Sequence, residues 1–142
     1  MPYQLDGDLD LLASKADLLN LFAAPACKFL WPDSEALNAE LKKVILARME
    51  VTPGVVYTNR GGWHSRKDLH TWPDACVQEF LVRARALIRE MIRRTVPNPS
   101  AAHLNDFELV AWANVNRTGA FNKAHHHYGY ETIWSSFYYV DT

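Results

Sequence analysis

FELVAWANVN, Phe107 to Asn116, is the stretch on which the fold turns: Phe107, Leu109, Ala111, Ala113 and Val115 alternate with Glu108, Val110, Trp112, Asn114 and Asn116. Such alternation marks an extended strand, whose successive side chains point to opposite faces. Arg117-Thr118-Gly119 then turns the chain. Beyond it TIWSSFYYV, Thr132 to Val140, is rich in the β-branched and aromatic residues that suit strands. Two strong strands joined by a short connection predict a β framework for this half of the chain.

The preceding half reads as helical. Leu37, Leu41, Val44 and Ile45 recur at three- and four-residue steps, with Asp33 or Ser34 as cap and Pro53-Gly54 as stop. A second helix opens at Pro73 and carries the stripe Val77, Phe80, Leu81, Ala84, Leu87, Ile88, Met91 and Ile92 to about Thr95. Its other face holds Arg83, Arg85, Arg89, Arg93 and Arg94 interrupted by Glu79 and Glu90, a pattern that predicts a solvated face. Ala26 to Trp31 and Val55 to Thr58 suit short strands, and Asn59 to Asp68 (NRGGWHSRKD) suits a polar loop. Leu11/Leu12 and Leu18/Leu19 have near-helical spacing weakened by Gly7 and several aspartates.

The chain has 142 residues, with 15 Lys and Arg against 16 Asp and Glu, a net charge of -1. One domain is expected, residues 1–142, with an N-terminal strand and helices (about 21–95) packed on strands at about 104–142. The near-neutral balance offers no field for nucleic acid, and no run approaches the roughly 20 apolar residues of a membrane span. The acidic start is unlike a secretory leader, and Cys27 and Cys76 sit in apolar segments as free buried thiols, so a cytoplasmic protein is expected.

Three consecutive histidines, His125-His126-His127, lie between the two strongest strands. In an extended segment residues i and i+2 share a side, so His125 and His127 can converge while His126 faces away. Two imidazoles make half a metal site suited to Fe, Zn, Cu or Ni. A surface histidine run is the alternative reading of the same spacing.

Read together, Leu21-Phe22 to Leu41, Asn59 to Ser65, Trp112 to Asn116, Asn122 to His127 and Trp134-Ser135-Ser136-Phe137-Tyr138-Tyr139-Val140 resemble the 2-oxoglutarate/Fe(II)-dependent oxygenases of the prolyl-hydroxylase-like jelly-roll group. The resemblance runs from about Leu21 onward. It implies an α+β fold, a double-stranded β-helix (jelly roll) with flanking helices, and the cofactors Fe(II) and 2-oxoglutarate. By the same resemblance His125 and His127 are the first two iron ligands and catalytic residues, Tyr139 and Asn114 contact the cosubstrate, and Gly61-Gly62-Trp63 is the substrate-side loop. Trp112 and Trp134 join Tyr139 as expected pocket-lining residues. The residues themselves leave alternatives: Tyr139 as a core aromatic, Asn114 capping a turn, Trp63 packing its loop.

Departures accompany the matches. Ser135-Ser136 stands where the family tends to have Ser-Gly, and after His127 there is no further histidine or arginine, only Glu131 and Asp141 as carboxylates. The family's distal iron ligand and cosubstrate arginine have no counterpart. The segment from Leu104 to Thr142 holds about three or four strands of typical length, against the eight of a jelly roll. An incomplete jelly roll is therefore expected, the N-terminal portion of an oxygenase whose substrate, a small molecule or a peptide, is open. Weak iron binding, no turnover, and self-association through the open sheet edge near Phe137 to Val140 follow from that expectation. Two rivals remain: a non-catalytic or metal-binding jelly-roll module that has lost the third ligand, and a cupin-like three-histidine enzyme completed by His64, His70 or His103.

Overall fold

The computed structural model describes residues 25–127, 132 and 134–141. Its elements are α1 (Glu35–Val51), β1 (Asn59–Arg60), β2 (Trp63–His64), a 3-10 turn (Leu69–Thr71), α2 (Ala75–Thr95), α3 (Ala101–Asn105), β3 (Asn114–Val115) and β4 (Phe121–Asn122). The leucine pairs before residue 20 lie outside the described residues.

Both helices form where apolar side chains recur at helical spacing. Helix α1 buries Leu37 and Leu41, and α2 buries Val77, Leu81 and Ile92. Helix α2 begins two residues after Pro73, behind Asp74, and ends where the Val96 N–H donates to the Ile92 carbonyl. The expected solvated arginine face is found only at its end, where exposed Arg93 and Arg94 pair with Glu90; Arg83, Arg85 and Arg89 are half-buried, Arg83 pairing with Glu79 over the Trp31 ring and Arg89 donating to the Leu104 carbonyl beside Phe107. Gly54 follows the end of α1 with φ +71°, a left-handed conformation that glycine adopts without strain. A Cβ there would stand 2.7 Å from both the Trp63 ring and the His64 carbonyl.

The core joins Leu37 and Leu41 to Leu69, Trp72, Val77, Leu81 and Ala113. Around it Trp31, Phe80 and Tyr138 meet as a second aromatic group, with Tyr138 4.7 Å from Trp31 and 5.3 Å from Phe80 between ring centroids. The Tyr138 hydroxyl donates to Asn38 Oδ1. The extended residues 134–141 are thus bound across the helices, and Lys42 and Asp141 form an ion pair there at 2.6 Å.

The jelly roll is overturned. Among the described residues there are two separate two-stranded antiparallel sheets, β1 with β4 and β2 with β3, neither closed. Helix accounts for 41% of these residues and strand for 7%, so the helices are the frame rather than flanking elements. The alternating stretch 107–116 fails to become a long strand for a visible reason. Its backbone bonds go largely to side chains and turns: the Ala113 N–H donates to Ser65 Oγ, the Ala111 N–H to His70 Nδ1, and the Ala111 carbonyl accepts from Leu69 N–H. Residues 134–140 keep the alternation of a strand, with Tyr138 and Val140 half-buried and Phe137 and Tyr139 exposed, yet they lie on helices and form no ladder. Residues 26–31 and 55–58 are likewise not strands, and the loop 59–68 instead contains β1 and β2. Cys27 is exposed and Cys76 half-buried, both free, which corrects the expectation of two buried thiols.

Leu81, 1% exposed in the core, is the strongest test of this packing. Leu81→Ala is expected to lower unfolding free energy by about 2–5 kcal/mol in urea titration, the usual result of emptying a buried leucine site. Leu87, half-buried on the same helix, should lose less when changed to Ala.

Candidate functional site

Pairing β2 against β3 sets Trp63 opposite Val115 and His64 opposite Asn114. Side chains alternate across such a pair, which gives the small sheet two unlike faces. One face joins the core: Trp63 packs against it beside buried Ala113, and its Nε1–H donates to the Thr52 carbonyl at 3.0 Å. The other face carries His64, Trp112 and Asn114.

Ring stacking continues on that second face. His64 is 5% exposed, meets Tyr57 edge-on at 5.1 Å and stacks on Trp112 at 5.8 Å and 11°. Trp112 in turn lies 5.7 Å from His127. Lys67 places its ammonium 5.4 Å from the Tyr57 centroid and 5.4 Å from the Trp112 centroid, a cation–π position on both rings. Buried Asn59 shapes the loop that presents Tyr57: its Oδ1 accepts from the Tyr57 N–H at 2.8 Å, and its Nδ2 donates to the carbonyls of Val55 and Gly62.

At the edge of this face the Nε2 atoms of His125 and His127 are 3.1 Å apart, with ring centroids 4.7 Å apart. His125 Nδ1 lies 2.8 Å from the Lys123 carbonyl. A carbonyl only accepts, so Nδ1 carries the proton, and in the neutral ring Nε2 accepts the hydrogen bond that the His127 Nε2–H donates. His127 titrates below the ordinary imidazole range, first because burial disfavours the charged ring and then because a charge on it would be repelled by the neighbouring His125, Lys67 and His126 when these carry theirs. It is thereby kept in the neutral form that metals bind.

The other residues singled out from the sequence lie apart or have other tasks. Gly61 turns the chain between β1 and β2 at φ +73°, and a Cβ on Gly62 would meet the Asn116 side chain at 2.0 Å and the Val115 carbonyl at 3.0 Å. Trp63 of that loop is committed to the end of α1, and Asn114 is exposed on the face shared with Trp112. Tyr139 is 74% exposed on the far segment, while its neighbour Tyr138 is the tyrosine packed inward. Trp134 is half-buried.

The three histidines considered as a third ligand each have a different role. His64 Nδ1 donates to the Ser65 carbonyl, His70 Nδ1 accepts from the Ala111 N–H, and His103 Nδ1 accepts from the Ser100 N–H in the capping box of α3. Among the described residues no group of three His, Cys, Asp or Glu side chains forms a metal cluster. Sequence reasoning passed over Tyr57, which meets His64, and Lys67, whose nearness to Trp112 depends on the β2–β3 pairing.

Comparison with known protein families, curated proteins and solved structures finds no match to this chain. Among the described residues no helix is long and apolar enough to cross a membrane.

Removing the Lys67 charge should relax the perturbation of His127. In Lys67→Met, the imidazole pKa followed by NMR through the His127 ring protons is expected to rise toward the ordinary value and remain below it, because burial persists. An unchanged titration would show that Lys67 does not act on this ring.

Proposed function

We propose that this chain carries the metal-binding histidine pair of a 2-oxoglutarate- and Fe(II)-dependent oxygenase, a hydroxylase-type enzyme of C–H oxidation. One observation carries the reading: two imidazole Nε2 atoms converge to 3.1 Å, with the Nδ1 of one already tied to a backbone carbonyl. Two nitrogens bound at about 2.0–2.1 Å and at right angles on one ion stand about 3.0 Å apart. A carbonyl bonded to the remote ring nitrogen is the usual device that fixes a metal-binding histidine.

The order of motifs through Tyr138-Tyr139-Val140 adds the oxygenase assignment by resemblance. The assignment rests on these site residues and not on architecture, since no closed barrel is found among the described residues. His125 and His127 would hold Fe(II), which supplies oxygen activation when bound together with 2-oxoglutarate. The chain's own part is plain: His125 offers the lone pair of its Nε2, His127 would offer its own once the proton between the two Nε2 atoms is displaced, Trp112 walls one side of His127, and burial disfavours that ring's charged form. Asn114 and Tyr139 as cosubstrate contacts, and Gly61, Gly62 and Trp63 as a substrate-side loop, belong to the same proposal. So do a cytoplasmic location and self-association through exposed Phe137 and Tyr139.

A second reading, a metal-binding module without turnover, is favoured by the two-membered ligand set among the described residues. The readings part on one experiment. Calorimetry with Co(II) should show stoichiometric binding that His125→Ala and His127→Ala each abolish and His126→Ala retains. Affinity should fall as pH drops below the ordinary imidazole value of about 6.5, since His127 takes up its proton only below that value and then has no lone pair for the metal. Anaerobic loading with Fe(II) and 2-oxoglutarate followed by O2 then decides the chemistry: succinate supports the oxygenase, and metal binding without succinate supports the module. Absence of metal binding in the parent chain would defeat both.

A further inference from the structure

The net charge of -1 conceals an uneven distribution. Residues 53–67 and 109–127, which hold strands β1 to β4, contain five Lys and Arg and four His but no Asp or Glu, so the rest of the chain keeps ten Lys and Arg against all sixteen Asp and Glu. The strand region is a basic island in an acidic frame. Among the described residues its cations Arg60, Lys67, Arg117 and Lys123 enter no ion pair, whereas α1 and α2 pair Lys42, Lys43, Arg48, Arg83, Arg93 and Arg94. Even Asp68, the residue after Lys67, gives its carboxylate to the Trp72 indole N–H at 3.2 Å.

Exposed rings stand among these charges. The β1–β4 register sets Arg60 opposite Phe121, and directly opposed residues share a face, so the guanidinium side chain adjoins a ring that is 55% exposed. The Lys123 N–H continues the ladder to the Thr58 carbonyl at 2.9 Å, which puts Lys123 on the Phe121 face as well. Thr58 follows Tyr57, a second ring 52% exposed, over which the Lys67 ammonium lies. The turn of Arg117 adjoins β1, since Ala120, whose N–H donates to the Arg117 carbonyl, sits 3.7 Å from where a Cβ on Gly61 would be.

Unpaired cations with exposed rings between them fit a polyanion whose units carry flat faces. Phosphates pair with the cations and unstacked bases lie on the rings, whereas a duplex keeps its bases stacked inside. An anionic bilayer brought flat against the molecule would also meet the acidic frame; a single strand is narrow enough to follow the island alone. We propose that this strand region binds single-stranded nucleic acid, with Phe121 and Tyr57 as base-stacking rings and Arg60, Lys67, Arg117 and Lys123 as phosphate contacts. This goes beyond the metal reading and stands without it.

Fluorescence anisotropy of the full chain with a labelled oligothymidylate of about 12 nucleotides tests it, beside a duplex of equal length, inorganic polyphosphate, and vesicles of phosphatidylcholine and phosphatidylserine. The parent chain should prefer the single strand to the duplex and to polyphosphate. With four phosphate contacts its affinity should fall about 50-fold between about 50 and 200 mM NaCl. Phe121→Ala should weaken oligothymidylate binding about tenfold, the scale of one lost base stack, and leave polyphosphate binding unchanged, and Phe121→Tyr should bind as the parent does. Lys123→Met should weaken both ligands and lower the salt dependence by about one contact. Phe121 and Lys123 are exposed, so an unchanged circular dichroism spectrum and melting temperature are expected of each variant. Absence of oligothymidylate binding by the parent chain, equal affinity for the duplex or polyphosphate, or a Phe121→Ala chain that binds as the parent does overturns the proposal, and so does binding to the vesicles alone.

Discussion

Ser65 and Ala113 hold each other by two hydrogen bonds: the Ser65 N–H donates to the Ala113 carbonyl at 2.9 Å, and the Ala113 N–H donates to Ser65 Oγ at 3.0 Å. Both residues are buried, so leaving any of these groups unpaired would be costly. With Ala113 fixed toward the helices, the pleat of an extended chain turns Trp112 and Asn114 to the other side. The adjoining β2–β3 register then sets His64 opposite Asn114 and within stacking distance of Trp112. The aromatic face, the seat of Lys67 and the wall behind His127 all descend from this one clasp.

What could be read from the sequence divides along the range of the forces involved. Helices α1 and α2 were legible because their apolar periodicity is local and their stops, Pro53-Gly54 and the Pro97–Pro99 region, sit in the chain itself. The i, i+2 spacing of His125 and His127 was legible for the same reason, since an extended tripeptide brings alternate side chains together without help from elsewhere. The strands were misread because alternation reports an extended backbone and says nothing about its partners. In 107–116 those partners are Ser65 Oγ, His70 Nδ1 and the turn at Leu69; in 134–140 they are helices. Helix α3 escaped notice because five residues are too few to show a period, although Ser100 and His103 form its capping box. Lys67 reads as an ordinary loop residue and Tyr57 as part of a short strand, and the meeting of Tyr57 with His64 and of Lys67 with Trp112 is a product of long-range register.

The resemblance to jelly-roll oxygenases and the helical frame therefore bear on different levels. Motif order states only which residues occur together in the chain, whereas the architecture it implied is absent from the described residues. The two tyrosines show the distinction at the scale of one peptide bond. Tyr138 gives its ring to Trp31 and Phe80 and its hydroxyl to Asn38, and Tyr139, one pleat away, is left in solvent.

The bond between Tyr138 and Asn38 spans 100 positions of the chain. Its loop-closure entropy grows only with the logarithm of that separation, so the span itself adds little to the cost of the native state. Its effect is on the order of events during translation. A ribosome adding about 5–20 residues per second finishes α2 several seconds before it reaches Tyr138. Through that interval Trp31 and Phe80 have no cover from the segment that will later lie on them. A nascent chain of this protein thus passes through a stage in which the Trp31 ring, ahead of α1, and the Phe80 ring, on α2, are open to chaperones until residues 134–141 have been made.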